Sequence, residues 1–182
     1  MEQSNSSDIR EVLFNAEEVQ EAVERIGKQI SEDYQGKKIL LITVLKGAFV
    51  FMADLARNIK GDVEIDFMAV SSYGSEAKTS GVVRIIKDLN APVEGRHVII
   101  VEDILDSGLT LKYLLKNIKA RRPLSIEIAT LLFKEGKQQT RIACKYIGLT
   151  CPDEFVVGYG LDYNETYRNL PYIGILDESV YT

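Results

Sequence analysis

The sequence predicts a single α/β domain, residues 1–182, built on a mainly parallel sheet. Apolar, β-branched runs at residues 38–45 and 98–101 are typical of strands buried on both faces, as parallel strands are. Segments with helical spacing of apolar residues alternate with such runs along the chain. The length of 182 residues, with 46% hydrophobic and 27% charged residues, suits one domain with its own core.

The first half of the chain gives two helices and three strands. Asn15 and Glu18 form a capping-box start, and the helix that follows ends near Gly36. Residues 38–45 form the first strand, and a helix over residues 48–59 ends before Gly61. Strands are then expected at residues 63–70 and 82–87. The buried stripe of the first helix is Val19, Ala22, Val23, Ile26 and Ile30.

The second half continues the alternation. Strands are expected at residues 97–101, 125–133, 145–147 and 155–159, and residues 172–176 either add an edge strand or pack without pairing. Between the first two of these strands, Leu111, Leu114, Leu115 and Ile118 mark a helix. We find no repeat, low-complexity tract or linker along this order, which supports one domain.

Composition excludes several functional classes. No apolar run approaches the ~20 residues that span a bilayer, and the polar start is not a signal peptide, so a cytoplasmic location and no membrane contact are expected. The two cysteines, Cys144 and Cys151, have only His97 as an imidazole partner, which predicts ordinary thiols. The net charge of −5 argues against nucleic-acid binding, so a polyanion would depend on a few local cations.

Residues 98–110 are the most informative stretch. Glu102 and Asp103 follow a buried strand, where catalytic groups of parallel sheets lie. Residues 106–110, Asp-Ser-Gly-Leu-Thr, then offer backbone N–H groups, two hydroxyls and a helix N-terminus, which suit a phosphate. Carboxylates do not bind phosphate directly, so their partners are sugar hydroxyls or a metal ion. The combination predicts a ribose 5-phosphate site.

A nucleotide hydrolase is the main competing interpretation of this stretch, since a strand followed by acids also describes a Walker B segment. The chain has no G-x-x-x-x-G-K-[ST] loop, which disfavours it. The pair Gly158 and Gly160 lacks the third glycine of a dinucleotide fingerprint and is interpreted as structural.

The string EDILDSGLT at residues 102–110 resembles the phosphoribosyl diphosphate signature of the type I phosphoribosyltransferases. The resemblance implies the type I phosphoribosyltransferase fold: a twisted, mainly parallel sheet flanked by helices, with a small hood and a mobile loop. It also implies a role for this string in binding ribose and phosphate. One departure is Leu109, where some relatives carry lysine. The residues concerned are Glu102, Asp103, Asp106, Ser107, Gly108, Leu109 and Thr110.

A second loop follows the first strand. Lys46 offers a point charge to an anion and Gly47 allows close backbone approach, although this short motif is also a common helix entry. Together with the ribose-phosphate string, Leu45-Lys46-Gly47-Ala48 resembles the diphosphate loop of the 6-oxopurine phosphoribosyltransferases. The resemblance implies diphosphate binding at Lys46 and Gly47, and a peptide bond between Leu45 and Lys46 that is cis in at least some states.

The last third resembles the hypoxanthine-guanine branch of that family, through Leu131-Leu-Phe-Lys134 and the string FVVGYGLDYNETYR at 155–168. An ammonium at Lys134 can donate to the 6-oxo group that adenine lacks. By resemblance, Phe155 would stack on the purine and the backbone of Val156 would read its edge. Asp162 would hold magnesium and Arg168 would bind diphosphate. The alternative is a core Phe155 and a surface pair of Asp162 with Arg168.

The implied reaction joins hypoxanthine or guanine to phosphoribosyl diphosphate, giving IMP or GMP and diphosphate, with Mg²⁺ as cofactor. Glu102 and Asp103 would hold ribose hydroxyls and, with Asp162, the metal ion or its water. Asp106 is the candidate general base at the purine imidazole edge; its other possible role is to shape the phosphate loop. Family members form homodimers or homotetramers, and the helix at 48–59 is a candidate contact surface.

The resemblance also divides the domain into parts. Residues 36–150 would form the core, and the N-terminal residues with residues 151–182 would form the hood. Residues 71–81, with Ser72 and Tyr73 resembling a Ser-Tyr pair of the family, are expected to be a lid that keeps water from the reacting sugar. The alternative is an ordinary exposed hairpin tip.

Two other functions remain open at this point. One is a regulatory protein that uses the same fold to sense phosphoribosyl diphosphate and bind RNA. The acidic net charge and the lack of an arginine-rich segment weigh against it. The other is an enzyme of the same fold that prefers xanthine or a pyrimidine, because recognition of the 2-substituent by backbone groups is not visible in a sequence.

Overall fold

The computed structural model describes residues 7–72 and 83–182. Its helices are α1 (Ala16–Asp33), α2 (Phe49–Asn58), α3 (Leu109–Ala120) and the short α4 (Glu178–Tyr181). Its strands are β1 (Ile9–Phe14), β2 (Ile39–Val44), β3 (Val63–Ser72), β4 (Val83–Lys87), β5 (His97–Leu105), β6 (Ser125–Lys134), β7 (Tyr146–Cys151), β8 (Val156–Val157) and β9 (Ile173–Leu176). Strands and helices thus alternate through the chain, as expected.

The larger sheet has six strands in the order β4-β3-β2-β5-β6-β7. All neighbours run parallel except β3 and β4, which are antiparallel. The carboxyl ends of β2, β5 and β6 therefore meet at one edge of the sheet, which brings the loops that follow them together.

Helices cover both faces of this sheet. Alternate side chains of a strand point to opposite faces, and here Ile99 and Val101 pack with α1 and α2, while Val98 and Ile100 pack with α3. This two-sided burial accounts for the unbroken apolar runs of β2 and β5. The capping box of α1 is confirmed, because Asn15 Oδ1 accepts from the N–H of Glu18 at 2.9 Å and Glu18 Oε2 accepts from that of Asn15 at 2.8 Å.

A second, three-stranded antiparallel sheet has the order β1-β9-β8. It joins residues near the two ends of the chain, so β1 and β9 pair across almost the whole sequence. The packing choice left open for residues 172–176 is thus resolved in favour of a strand, paired on both sides.

Several predicted bounds need correction. Strand β1 was not expected, since its pairing with β9 is not a local signal. Strand β8 is only Val156–Val157 long, because the chain turns at Gly158 and Gly160, with φ of +101° and +99°. Strand β7 extends to Cys151, beyond the expected end at residue 147. In the described residues, no helix combines the length and apolarity needed to span a bilayer.

Candidate active site

The loop after β5 forms an anion-binding cradle. Gly108 takes a left-handed conformation, with φ of +77°, and α3 begins at a residue that has no side chain to cap its first N–H groups. Residues 104–111 and Glu102 enclose a cavity of about 140 Å³ there. The carbonyl oxygen of Ser107 accepts from the N–H of Gln139 at 3.0 Å, which ties the loop to the chain after β6. The cradle fits a small anion such as a phosphate.

Glu102 and Asp103 lie inside β5, not beyond its end as the sequence suggested, because the strand continues to Leu105. The pairing of β5 with β2 stops at Val101, and only β6 accompanies the strand further. As consecutive strand residues, the two acids point to opposite faces. Glu102 lines the cradle, whereas Asp103 approaches the loop after β2.

Both carboxyl groups hold their protons more tightly than usual. Burial raises the pKa of Glu102 to about 8, and the charge of Asp103 adds to this. Burial also raises the pKa of Asp103, against the hydrogen bond that its Oδ1 accepts from the N–H of Ile104 at 2.7 Å. The charge of Asp162 raises the pKa of Asp103 further, and that of Arg168 lowers it. A cation bound among these groups would relieve the repulsion.

The loop after β2 packs directly on this acidic pair. A Cβ atom at Gly47 would lie 1.9 Å from Asp103 Oδ2, so any other residue here would displace the carboxylate from its present position. On the other side, a Cβ atom at Gly160 would lie 2.2 Å from the carbonyl oxygen of Gly47. The peptide bond between Leu45 and Lys46 is cis, which confirms that expectation.

Two cations of the proposed diphosphate site meet at one carboxylate. Lys46 Nζ lies 2.7 Å from Glu165 Oε2, and Arg168 Nη2 lies 3.3 Å from Glu165 Oε1. The hydrogen bond and the charge of Lys46 lower the pKa of Glu165. Arg168 also pairs with Asp162 Oδ1 at 3.1 Å and donates from Nη1 to the carbonyl oxygen of Gly160 at 2.8 Å. Among the described residues, its buried Nε finds no acceptor.

Lys134 ends β6 beside the phosphate cradle. Its side chain is only 12% exposed, and Nζ lies 3.7 Å from Asp106 Oδ2 and 3.9 Å from Asp153 Oδ1. Asp153 also forms an ion pair with Lys137. The structure thus places a largely buried ammonium at the end of β6 next to the carboxylate of the loop that follows β5.

Phe155 lies in an aromatic cluster of the smaller sheet. Its ring stacks on Tyr181 of α4, with centroids 5.0 Å apart and planes at 26°, and meets the edge of Tyr163 at 5.7 Å. Phe155 is still 38% exposed, so it is not a core residue. Val156 is buried, and its backbone pairs with Ile175.

Comparisons with known proteins identify the family of this chain. The phosphoribosyl transferase domain model matches residues 11–164. The chain belongs to the phosphoribosyltransferase family. It is 52% identical over 174 residues to the hypoxanthine-guanine phosphoribosyltransferase of Bacillus subtilis, covering 96% of this chain and 97% of that protein. The crystal structure of a hypoxanthine phosphoribosyltransferase from Staphylococcus aureus superposes with a TM-score of 0.96 at 46% identity, covering both chains completely.

Some phosphoribosyltransferases of this kind are parts of longer proteins. The chain is 51% identical over 180 residues to the bifunctional protein TilS/HprT of Listeria innocua, covering 99% of this chain but only 28% of that protein. The family and the fold expected from the ribose-phosphate string are therefore confirmed, with the parallel sheet and flanking helices on which that string depends.

The oxygen donors of this phosphoribosyltransferase fit a magnesium ion, but they do not form a complete protein-made site. Within the part of the chain that the structure describes, no three His, Cys, Asp or Glu side chains form a metal-binding cluster. Glu102 and Asp103 face opposite sides, and Asp162 already pairs with Arg168. Magnesium commonly takes one or two carboxylates and completes its shell with water and substrate phosphates. Asp103 and Asp162, whose charges interact, fit that arrangement.

Sequence reasoning missed three site residues of the phosphoribosyltransferase. They are Glu165 between the two cations, Asp153 beside Lys134, and Tyr181 against Phe155. Each reaches the site through a contact between distant segments or through the conformation of a turn. The local sequence pattern did not indicate these contacts or this conformation. The proposed lid lies largely outside the described residues, including Tyr73 and the side chain of Ser72.

His97 takes no part in the site. It opens β5, at the opposite end of the strand from Leu105, where its Nδ1 lies 2.7 Å from Ser125 Oγ. At about 3.3 Å per residue, the two ends of β5 are roughly 26 Å apart. Because His97 is the only histidine of the chain, no imidazole lies at this site.

Proposed function

We propose that the protein is a purine salvage enzyme that transfers the 5-phosphoribosyl group of phosphoribosyl diphosphate to hypoxanthine and guanine. The products are IMP or GMP and diphosphate. Family membership and the names of the relatives in Bacillus subtilis and Staphylococcus aureus support this reaction class. Among the site residues, the position of Lys134 beside the phosphate cradle carries the proposal.

Lys134 selects the purine in this account. Hypoxanthine and guanine present an acceptor oxygen at C6, whereas adenine presents an amino donor there. The Lys134 ammonium, 12% exposed and 3.7 Å from Asp106, can donate to that oxygen and has nothing to offer the amino group. A pocket built to donate to a substrate acceptor rejects an analogue that lacks it, because the buried donor then faces a second donor and loses the hydrogen bond to the base.

The remaining residues hold the sugar and its leaving group. The cradle at 106–110 binds the 5-phosphate through backbone N–H groups with Ser107 and Thr110. Glu102 and Asp103 hold the ribose hydroxyls, and Lys46 and Arg168 bind the diphosphate. Breaking the C1–oxygen bond leaves an electron-poor sugar and a highly charged anion, so cations placed beforehand around the diphosphate lower the barrier.

Asp106 acts as the proton acceptor at the imidazole edge of the purine. It begins the phosphate cradle and lies 3.7 Å from Lys134, so its carboxylate can reach a base that is held by Lys134 and faces C1 of the ribose. When bound to Asp103, Asp162 and the substrate, magnesium would supply further neutralisation of the departing diphosphate.

The proposal includes a cytoplasmic enzyme that assembles as a homodimer or homotetramer. Phe49, 43% exposed at the start of α2, borders an apolar groove of about 480 Å³ together with Val50, Leu170 and Pro171. An exposed aromatic side chain beside such a groove is typical of a protein contact surface. Sedimentation velocity of the purified protein tests the assembly.

Lys134→Met tests the selection of the purine. We expect kcat/KM for hypoxanthine to fall about 10- to 100-fold, the usual effect of losing one charged hydrogen bond, while the KM for phosphoribosyl diphosphate stays within about threefold. The matched control is Lys137→Met, whose ammonium pairs with the same Asp153 but does not contact Asp106. Undiminished hypoxanthine turnover in Lys134→Met would remove this residue from the purine pocket.

A further inference from the structure

Glu165 occupies the position between the two cations that the proposed function assigns to diphosphate. Its Oε2 lies 2.7 Å from Lys46 Nζ, and its Oε1 lies 3.3 Å from Arg168 Nη2. Each carboxylate oxygen therefore takes one cation, much as two oxygens of a phosphate group would. Lys46 and Arg168 lie on segments that are distant in the sequence, so Glu165 bridges the two halves of the diphosphate site.

A tight turn places this carboxylate there. Tyr163 and Thr166 pair across two central residues, Asn164 and Glu165, whose φ values are +49° and +64°. A two-residue turn with both φ values positive favours Asn followed by Gly. Asn fits its position, but a glutamate at the second position works against the preference of side chains for negative φ. The N–H of Glu165 donates to Asp162 Oδ2 at 2.9 Å, which fixes the turn beside the acidic group.

The contact is weak enough to be displaced. The side chains of Lys46 and Glu165 are 63% and 65% exposed, so water and salt screen their attraction. A diphosphate group carries more charge than one carboxylate and can bind both cations at once. It therefore replaces Glu165, provided that the side chain swings out into the solvent that already surrounds it.

We infer that Glu165 is an internal competitor of diphosphate: it holds Lys46 and Arg168 in the free protein, leaves when phosphoribosyl diphosphate binds, and returns as diphosphate departs. This inference rests on the proposed function of the two cations. As a consequence, the protein binds diphosphate and phosphoribosyl diphosphate more weakly than the two cations alone would. It also releases the diphosphate product faster. The carboxylate also offsets the repulsion between the two like charges of Lys46 and Arg168.

Glu165→Gln tests the inference, because it removes the charge and keeps the size of the side chain. Titration calorimetry with inorganic diphosphate and magnesium should give a Kd about two- to fivefold lower than that of the wild type, the range expected for one exposed ion pair. The KM for phosphoribosyl diphosphate should fall by a similar factor, and the KM for hypoxanthine should not change. The advantage of the variant should shrink as salt is raised, since a screened charge is what it lost.

Glu32→Gln is the matched control, since it makes the same change in net charge near the end of α1, at the other end of the sheet from this site, and should bind diphosphate like the wild type. Equal or weaker diphosphate binding by Glu165→Gln, with an active wild type, overturns the inference and leaves the proposed function in place. If the wild type neither binds diphosphate nor transfers a phosphoribosyl group, both fail.

Discussion

At the scale of single residues, Asp106 has the most specific chemical role. Its carboxylate lies 3.7 Å from the ammonium that is proposed to select the purine, and it belongs to the loop that is proposed to bind the ribose phosphate. The purine must lose a proton from its imidazole ring as the new bond to C1 forms. Among the charged groups that the structure places at this site, Asp106 combines the two contacts that such a proton acceptor needs.

Asp106→Asn removes the proton acceptor and keeps the shape of the side chain. We expect kcat to fall by ~10²–10⁴-fold, the usual range for a positioned acid or base. The KM for phosphoribosyl diphosphate should change by less than about threefold, because the loop keeps its backbone donors. Steady-state kinetics with hypoxanthine as the varied substrate measures both. If kcat is retained and only the KM for phosphoribosyl diphosphate rises, Asp106 shapes the loop and does not accept the proton.

At the scale of elements, a hydrogen bond and an ion pair far from the site link the end of α1 to β7 and the residue before it. Asp33 Oδ2, at the end of α1, accepts a hydrogen bond from the Tyr146 hydroxyl at 2.6 Å and pairs with Lys145 Nζ at 3.1 Å. The hydroxyl hydrogen bond and Lys145 lower the pKa of Asp33 below its ordinary value of 3.8. When the folded-state pKa of a carboxyl group is lowered, its contribution to stability is complete above the unfolded-state pKa. That contribution is lost as pH falls through the folded-state pKa.

Asp33→Asn should therefore lower the Tm at pH 7 by a few degrees, and this difference from the wild type should shrink toward zero in acid, below the lowered folded-state pKa of Asp33. Transfer activity at 25 °C should not change, since Asp33 and its two partners lie at the opposite end of the sheet from the site. Glu32→Gln is the control for charge, because no ion pair of Glu32 occurs among the residues that the structure describes. Thermal unfolding at both pH values measures the effect; a Tm difference that persists undiminished in acid contradicts the assigned cause.

The sequence predicted the helices and strands that depend on neighbouring residues, and it did not predict a strand that depends on distant pairing. The capping box of α1, the apolar strands β2 and β5, and the glycine turn before α3 depend on neighbours in the chain, and local patterns predicted them. Strand β1 depends on pairing with β9 from the other end of the chain, so no local pattern could indicate it.

The site follows the same division. Lys134, Asp106 and Lys46 were singled out by the family resemblance together with their positions after strands, whose carboxyl ends lie at the common edge of a parallel sheet. Their roles stay predictions. The bridging position of Glu165 depends on two positive φ values in a turn, and the stacking of Tyr181 on Phe155 depends on the path of the last residues. Neither depends on residue type alone, which is why neither was predicted.

At the scale of the whole molecule, an acidic protein concentrates a few cations at one edge of its sheet. The net charge is −5, yet Lys46, Lys134 and Arg168 all lie near the carboxyl ends of the parallel strands or on the loop that packs there. Glu102, Asp103 and Asp162 lie among them. This mixture of charges suits a ligand that carries phosphates, hydroxyls and a metal ion together. It differs from the continuous basic surface that is typical of RNA-binding proteins.

The most direct test of the account is a transfer assay with phosphoribosyl diphosphate. Hypoxanthine, guanine, xanthine, adenine and uracil are offered separately, with magnesium and then with a chelator, and nucleotide formation is followed by absorbance. The account predicts turnover of hypoxanthine or guanine, none of adenine or uracil, and loss of activity with the chelator. Turnover of adenine at a comparable rate would contradict the role of Lys134, and no turnover of any base would contradict the proposed function.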